Sequence, residues 1–156
     1  MNSPPDLERQ RLVMIGAGGH ARVLMSALEA MHIPVQALCL PPLALIPPWG
    51  QGIPTLSSDA QLLEAFDPRT TLMILGVGAT GNNHKRSALF AHYRQQGYRF
   101  ATILHPRHYH AADVTLGEGC QVMVGSIMQS GVEIHDNVII NTGACIDHEC
   151  IIESHV

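Results

Sequence analysis

The stretch VTLGEGCQVMVGSIMQSGVEIHDNVIINTGACIDHECII, residues 114–152, repeats with a period of six. Every sixth residue is a large apolar one: Leu116, Val122, Met128, Ile134, Ile140, Ile146 and Ile152. The residues two places earlier are small or β-branched: Val114, Cys120, Ser126, Val132, Val138, Ala144 and Cys150. A helix has a period of 3.6 and an isolated strand a period of two. A six-residue repeat is typical of a parallel β-helix, in which three repeats, one for each wall, make one coil. A succession of ordinary hairpins is the alternative.

The residues before this repeat alternate between strands and helices. Apolar runs predict four strands, at 11–16, 35–40, 71–78 and 99–106. Helical patterns occupy about 23–31, 59–66 (behind Ser57 and Ser58, which can cap it) and 85–96. Such alternation implies a parallel sheet with crossover connections, and the prolines and glycines of 40–54 imply an irregular loop. We therefore expect two domains, an α/β domain over 1–106 and a β-helix over 107–156.

Composition excludes several classes of protein. A net charge of −4 over 156 residues gives no electrostatic reason to expect nucleic acid or an anionic membrane as a partner. The start, MNSPPDLERQ, is too polar for a signal or transit peptide, and prolines interrupt the apolar stretch 35–50. The four cysteines form no CxxC pair. We therefore expect a cytoplasmic protein without membrane insertion.

Three segments together resemble a known family: VMIGAGGHARVL (13–24), GVGATGNNHKR (76–86) and VIINTGACIDHEC (138–150). They resemble the hexapeptide-repeat sugar acyltransferases, which include sialic acid O-acetyltransferases and nucleotide-linked amino-sugar N-acetyltransferases of bacterial glycan pathways. The resemblance covers residues 11–156. It implies a Rossmann-like, nucleotide-sugar-binding α/β domain followed by a left-handed parallel β-helix. It further implies a homotrimer that binds acetyl-CoA, the acyl donor, between subunits. The acceptor would be a hydroxyl or amine of a sugar or UDP-sugar.

His148 stands between Asp147 and Glu149, two places after the inward Ile146, so we expect it to point outward at a coil edge. A neutral imidazole suits the removal of a proton from an attacking amine or hydroxyl. A neighbouring carboxylate can orient the ring. The resemblance makes His148 the catalytic base, Glu149 its support and Asn141 a residue near the substrate. The alternative is an exposed turn histidine.

His20 follows Gly18 and Gly19 in the turn between the first strand and the first helix. A glycine turn at a helix N-terminus favours anionic groups, and GxGxxA by itself suggests a dinucleotide site. That site also needs an acid about 20 residues further on. No Asp or Glu occurs between Glu29 and Asp59, which disfavours an NAD-dependent oxidoreductase. The resemblance instead places His20 beside the reacting group of the sugar.

The resemblance leaves the nucleotide undetermined, because relatives carry acids after the second strand where this chain has Cys39, Leu40 and Pro41.

The segment 76–86 leaves the third strand through glycines and enters a helix. Its candidate substrate-binding residues are Gly78, Asn82, Asn83 and Arg86. Amides and polar side chains there can hold a sugar or nucleotide, and plain capping of the helix by Asn82 is an equally good interpretation.

Three histidines, at 105, 108 and 110, favour an exposed interdomain linker over a metal site, because no carboxylate or cysteine spacing accompanies them. No metal is expected.

From Leu116 to Val156 the repeat makes little more than two coils, whereas the relatives continue with several more. We therefore expect a truncated chain or a fragment of a longer enzyme, whose activity can depend on the missing coils. A non-catalytic module that binds a nucleotide sugar and uses the β-helix only to trimerise is the main alternative function.

Overall fold

A computed structural model of the chain describes Leu7, residues 9–79 and residues 83–156. Its first part is a five-stranded parallel sheet in the order β3-β2-β1-β4-β5. The strands are β1 Arg11–Ile15, β2 Ala37–Cys39, β3 Thr55–Leu56, β4 Thr71–Leu75 and β5 Arg99–Phe100. The helices are α1 Gly19–Ala30, α2 Asp59–Ala65 and α3 His84–Gln95, with a short 3-10 helix at Pro48–Gly50. The sequence predicted these helices closely and missed the two-residue strand β3.

The sheet is buried on both faces, which explains the unbroken apolar runs RLVMI and TLMIL of β1 and β4. Helix α1 buries the face that carries Leu24 and Leu28. Helix α2 begins behind Ser58, whose Oγ accepts a hydrogen bond from the Gln61 amide at 3.3 Å, as the sequence predicted. Helix α3 begins after Asn83, whose side chain makes no capping bond, and Asn82 lies outside the described residues.

The second part, from Ile103 onward, is a parallel β-helix with three walls. Its walls are β6-β9-β12, β7-β10-β13 and β8-β11-β14. The strands are β6 Ile103–Leu104, β7 Tyr109–His110, β8 Thr115–Leu116, β9 Gln121–Val122, β10 Ile127–Met128, β11 Glu133–Ile134, β12 Ile139–Ile140, β13 Cys145–Ile146 and β14 Ile151–Ile152. Ile127 pairs in parallel with Tyr109 and with Cys145, each three repeats away along the chain. The predicted coil of three repeats is confirmed, and hairpins, which pair antiparallel, are excluded.

The apolar residues of the repeat share one interior. Ile134, Ile140, Ile146 and Ile152 belong to a single cluster, as the sequence predicted. The coil corners have a second regularity that the sequence analysis missed, since one residue in six has a positive φ between 57° and 74°. These residues are Gly119, Gly125, Gly131, Asn137, Gly143, Glu149 and His155. Each corner from Gly119 onward turns through a left-handed backbone conformation, which glycine adopts without steric cost.

The predicted strand 99–106 is wrong as a single element. Arg99–Phe100 ends the five-stranded sheet, whereas Ile103–Leu104 begins the first wall of the β-helix. The apolar run is continuous because the chain passes from one buried sheet directly into the next. The predicted linker around 105–110 is also wrong, since Tyr109–His110 forms a strand of the first coil.

The two parts pack against each other along α3 and along the wall β6-β9-β12. The ring of Phe90 on α3 lies 5.7 Å from that of His155, edge to face. At Gly119 a Cβ atom would stand 3.1 Å from the Phe90 ring, and φ is +72°, so both space and backbone require glycine. Arg94 of α3 pairs with Glu118 at 3.2 Å. Within the described part of the chain, no helix has the length and apolarity needed to cross a membrane.

Candidate functional site

A cleft of about 360 Å³ opens at the carboxyl ends of β1 and β4. The order of the strands reverses between these two, and this is where parallel sheets bind ligands. The cleft is lined by the glycine turn 16–20, the loop 40–45, the segment 76–78 and Lys85. At Gly76 a Cβ atom would stand 2.9 Å from the Ile15 carbonyl oxygen, so the two turns approach closely only because this residue is glycine. Amides at the start of α1 and the Lys85 ammonium make this cleft suitable for an anionic group.

The cleft brings together residues that the sequence predicted in two separate motifs: Gly18, Gly19, His20 and Gly78. A Cβ atom at Gly78 would stand 3.2 Å from the Cβ of His20, so these two turns also touch. Lys85 was not predicted from the sequence as a site residue, although it lies in the first turn of the same helix as Arg86.

His20 is half-buried, with Nε2 2.7 Å from Oε1 of Gln121 on β9. Burial lowers the pKa of His20 below its ordinary value. Gln121 is buried, and its Nε2 donates to the Leu75 carbonyl oxygen at 3.0 Å. Sequence reasoning missed Gln121. Its signal was available, because Gln121 is the polar member of a column whose other members are Ile103 and Ile139.

Arg86 and Asn83 lie behind the cleft. Arg86 is fully buried, and its Nη1 donates to the carbonyl oxygens of Leu75 at 3.1 Å and Val77 at 2.6 Å. Burial lowers the pKa of Arg86 to about 10. Asn83 donates from Nδ2 to the His155 carbonyl oxygen. These contacts tie α3 to the end of β4 and to the β-helix, so both residues shape the cleft from the inside.

His148 lies on the coil corner after β13, outside the β-helix interior as predicted. Its Nδ1 is 3.3 Å from Oε2 of Glu149, and the two side chains are 75% and 83% exposed. Glu149 has a φ of +57°, an uncommon conformation for a residue with a side chain. Asp147 and Asn141 are exposed, and Asn141 Oδ1 accepts from the Thr142 amide at 3.0 Å.

The structure does not bring His148 and His20 together within one chain. His20 contacts Gln121 on the wall β6-β9-β12. His148 follows β13 and precedes β14, so it stands on the edge between the other two walls. In a three-walled coil that edge lies opposite the wall that packs on the cleft. A site containing both histidines therefore needs two copies of the chain.

The histidines at 105–110 interact with one another. His108 and His110 stack with ring centroids 4.8 Å apart, and His108 Nε2 lies 2.7 Å from His110 Nδ1. Among the described residues, no group of three His, Cys, Asp or Glu side chains is arranged to hold a metal ion.

Several solved structures share this architecture. A mutant of perosamine N-acetyltransferase from Caulobacter crescentus, in complex with CoA and GDP-perosamine, is 30% identical, with a TM-score of 0.77 over 90% of this chain and 64% of that protein. The acetyltransferase domain of PglB from Neisseria gonorrhoeae FA1090, in complex with acetyl coenzyme A, is 26% identical, with a TM-score of 0.75 over 92% and 67%. WeeI from Acinetobacter baumannii AYE, at 18% identity and a TM-score of 0.70 over 92% and 66%, has the same fold.

The chain spans about two thirds of the length of these proteins. No profile of a known protein family and no curated protein sequence matches it. A parallel sheet joined to a three-walled β-helix with a six-residue repeat is the architecture that the chain shares with these proteins. In sequence and fold the chain is similar to the perosamine N-acetyltransferase and to the PglB acetyltransferase domain.

Proposed function

We propose that the protein transfers an acetyl group from acetyl-CoA to an amine or hydroxyl of a sugar or nucleotide-linked sugar in bacterial glycan biosynthesis. The observation that carries this proposal is the His148–Glu149 pair, held at 3.3 Å on a corner of the six-residue coil. The perosamine N-acetyltransferase complex with CoA and GDP-perosamine supports a nucleotide-linked amino sugar as the acceptor. The PglB complex supports acetyl-CoA as the donor.

His148 acts as the base in this reaction. Glu149 accepts a hydrogen bond from Nδ1–H, which leaves the lone pair on Nε2. The acceptor nitrogen or oxygen attacks the thioester carbonyl carbon while Nε2 takes its proton. The C–S bond then breaks, CoA leaves as the thiolate, and the imidazolium returns the proton to the sulfur. An exposed corner position leaves room for both substrates.

The acceptor lies in the cleft beside β1 and β4. Gly18, Gly19 and Gly78 allow its close approach, His20 stands beside its reacting group, and Lys85 and the start of α1 face its phosphates. Asn141 contributes from the β-helix. Asn83 and Arg86 support the cleft from behind, and Asn82 belongs to the same turn by sequence.

A homotrimer completes the site. His148 and His20 stand on opposite sides of one coil, so a neighbouring copy has to supply the second histidine. A left-handed coil, a Rossmann-like N-terminal domain that ends where the β-helix begins at Ile103, and a cytosolic location complete the proposal. The strand order 3-2-1-4-5 and four cysteines without disulfide bonds support the last two points.

Titration calorimetry with acetyl-CoA, GDP- and UDP-linked amino sugars and NAD, followed by an assay of CoA thiol release, tests the function. We expect acetyl-CoA and a nucleotide-linked sugar to bind and the thiol to be released only when both are present. If the sugar binds and acetyl-CoA does not, the protein is a binding module. If NAD binds, the protein is an oxidoreductase.

A further inference from the structure

Gln121 is a buried amide on a wall that is otherwise apolar. It is 1% exposed, between Ile103 and Ile139 in neighbouring coils. An amide that loses water on burial needs partners for both its oxygen and its NH₂ group. The partners of Gln121 are the Leu75 carbonyl oxygen at 3.0 Å and His20 Nε2 at 2.7 Å.

These two contacts determine which atom donates in each. A backbone carbonyl oxygen only accepts, so the atom of Gln121 that faces Leu75 has to be the NH₂ group. The other atom is then Oε1, which also only accepts. His20 must therefore donate from Nε2–H to Gln121, which places the lone pair of the neutral ring on Nδ1.

We propose that Gln121 is a positioning residue that holds His20 in the Nε2–H tautomer, so that Nδ1 accepts a hydrogen bond from an N–H or O–H group in the cleft. That this N–H or O–H group belongs to the acceptor sugar rests on the proposed function. The tautomer itself does not, since it follows from hydrogen bonds within the chain.

The surroundings keep the His20 ring neutral, as a hydrogen-bond acceptor must be. Burial lowers the pKa of His20, the hydrogen bond with Gln121 raises it by less, and the Arg86 cation lowers it, so the pKa stays below its ordinary value. Arg86 donates to the same Leu75 oxygen as Gln121, at 3.1 Å, so strand β4, helix α3 and strand β9 meet at one atom.

The test is a long-range ¹H–¹⁵N correlation spectrum of the full chain labelled at its ten histidines, with His20→Gln to assign the His20 signal. We expect the Nε2–H pattern in the wild-type protein and a mixture of tautomers in Gln121→Met, which keeps the volume and removes both hydrogen bonds. Gln129→Met, the same change at an exposed glutamine of the β-helix, should leave the His20 signal unchanged. An Nδ1–H pattern in the wild type, or an unchanged signal in Gln121→Met, would overturn the proposal.

Gln121→Glu provides a second variant should Gln121→Met fail to fold. A carboxylate beside His20 stabilises the imidazolium, so we expect the His20 titration to move to higher pH than in the wild type. An unmoved titration would also overturn the proposal. None of these spectra needs a substrate, so the tautomer and the activity are tested separately. If the spectra show the Nε2–H tautomer but the protein transfers no acetyl group, the proposed function is refuted and the role of Gln121 is not.

Where transfer is measured, Gln121→Met should lower kcat/KM for the acceptor about tenfold, and Gln129→Met should not change it.

Discussion

Glu149 combines an exposed carboxylate with a backbone conformation that favours glycine. The equivalent position one coil earlier, on the same edge, is Gly131, and both residues have a positive φ. A side chain in this conformation costs about 1–2 kcal/mol. Backbone strain of this kind is concentrated at functional sites, where the side chain is needed despite its cost. The His148–Glu149 pair is therefore the residue-scale feature from which the chemistry can be tested.

His148→Ala should lower the acetyl-transfer rate by roughly 10²–10⁴-fold in any form of the protein that is active, because a positioned base contributes about that much. Affinity for the sugar should change little. Glu149→Gln should cost less, since Glu149 only orients and polarises the ring. Steady-state kinetics with acetyl-CoA and the acceptor measure these effects.

Asp147→Asn is the matched control and should be nearly silent, since the His148 ring contacts Glu149. Full activity of His148→Ala would mean that His148 is only a turn residue without a catalytic role. A loss in Asp147→Asn as large as that in His148→Ala would make both acids part of the chemistry.

Glu149→Gly should stabilise the fold by about 0.5–1 kcal/mol while it lowers activity, because relief of the left-handed strain exceeds the entropy cost of a glycine. Denaturant unfolding measures the change. Asp147→Gly, at a neighbouring position without a positive φ, should give no such gain. A destabilised Glu149→Gly variant would show that the corner is not strained.

The β-helix is an element whose strands, two residues each, have no stability alone. Its stability comes from the stacking of inward side chains in successive coils. Because these side chains recur every six residues, the sequence alone predicts the coil. Ile140 points inward and is 4% exposed, whereas Ile151 points outward and is 58% exposed. The two isoleucines make a matched pair for testing that arrangement.

Ile140→Ala should lower the free energy of unfolding by about 2–5 kcal/mol, since it removes buried methyl groups and leaves a cavity. Ile151→Ala should lower it by less than about 1 kcal/mol, because the side chain is already in water. Urea unfolding followed by circular dichroism measures both. Equal losses would mean that Ile151 is covered in the assembled protein or that the coil interior is misassigned.

On the scale of the whole molecule, the cleft and the His148 edge lie on opposite sides of the coil, and a trimer is the assembly that we propose to join them. We expect light scattering to show a self-associating chain, most simply a trimer. A strictly monomeric species at high concentration would contradict this.

Mixing two inactive variants tests whether the site is shared. His20→Ala and His148→Ala chains, unfolded and refolded together in equal amounts, should recover about a quarter of wild-type activity, because one interface in four receives both native histidines in random trimers. Each variant refolded alone is the control. No recovery in the mixture would mean that the two histidines do not form one site across an interface.

The sequence was enough to predict the six-residue coil, its shared interior, the outward position of His148 and the alternation of strands and helices. These depend on which side of a short segment faces the core, and periodicity records that locally. The apolar run 99–106 shows where such reasoning ends, since burial in either of two sheets produces the same pattern.

The surroundings of the cleft could not be predicted from the sequence. Gln121 meets His20 across 101 residues of chain, and Arg86 is buried against carbonyl oxygens that no sequence pattern marks. Hydrogen bonds between distant segments depend on how the sheet packs against the coil. That packing is set by the summed contacts of two whole elements, so the period of neither one shows which residues meet across it.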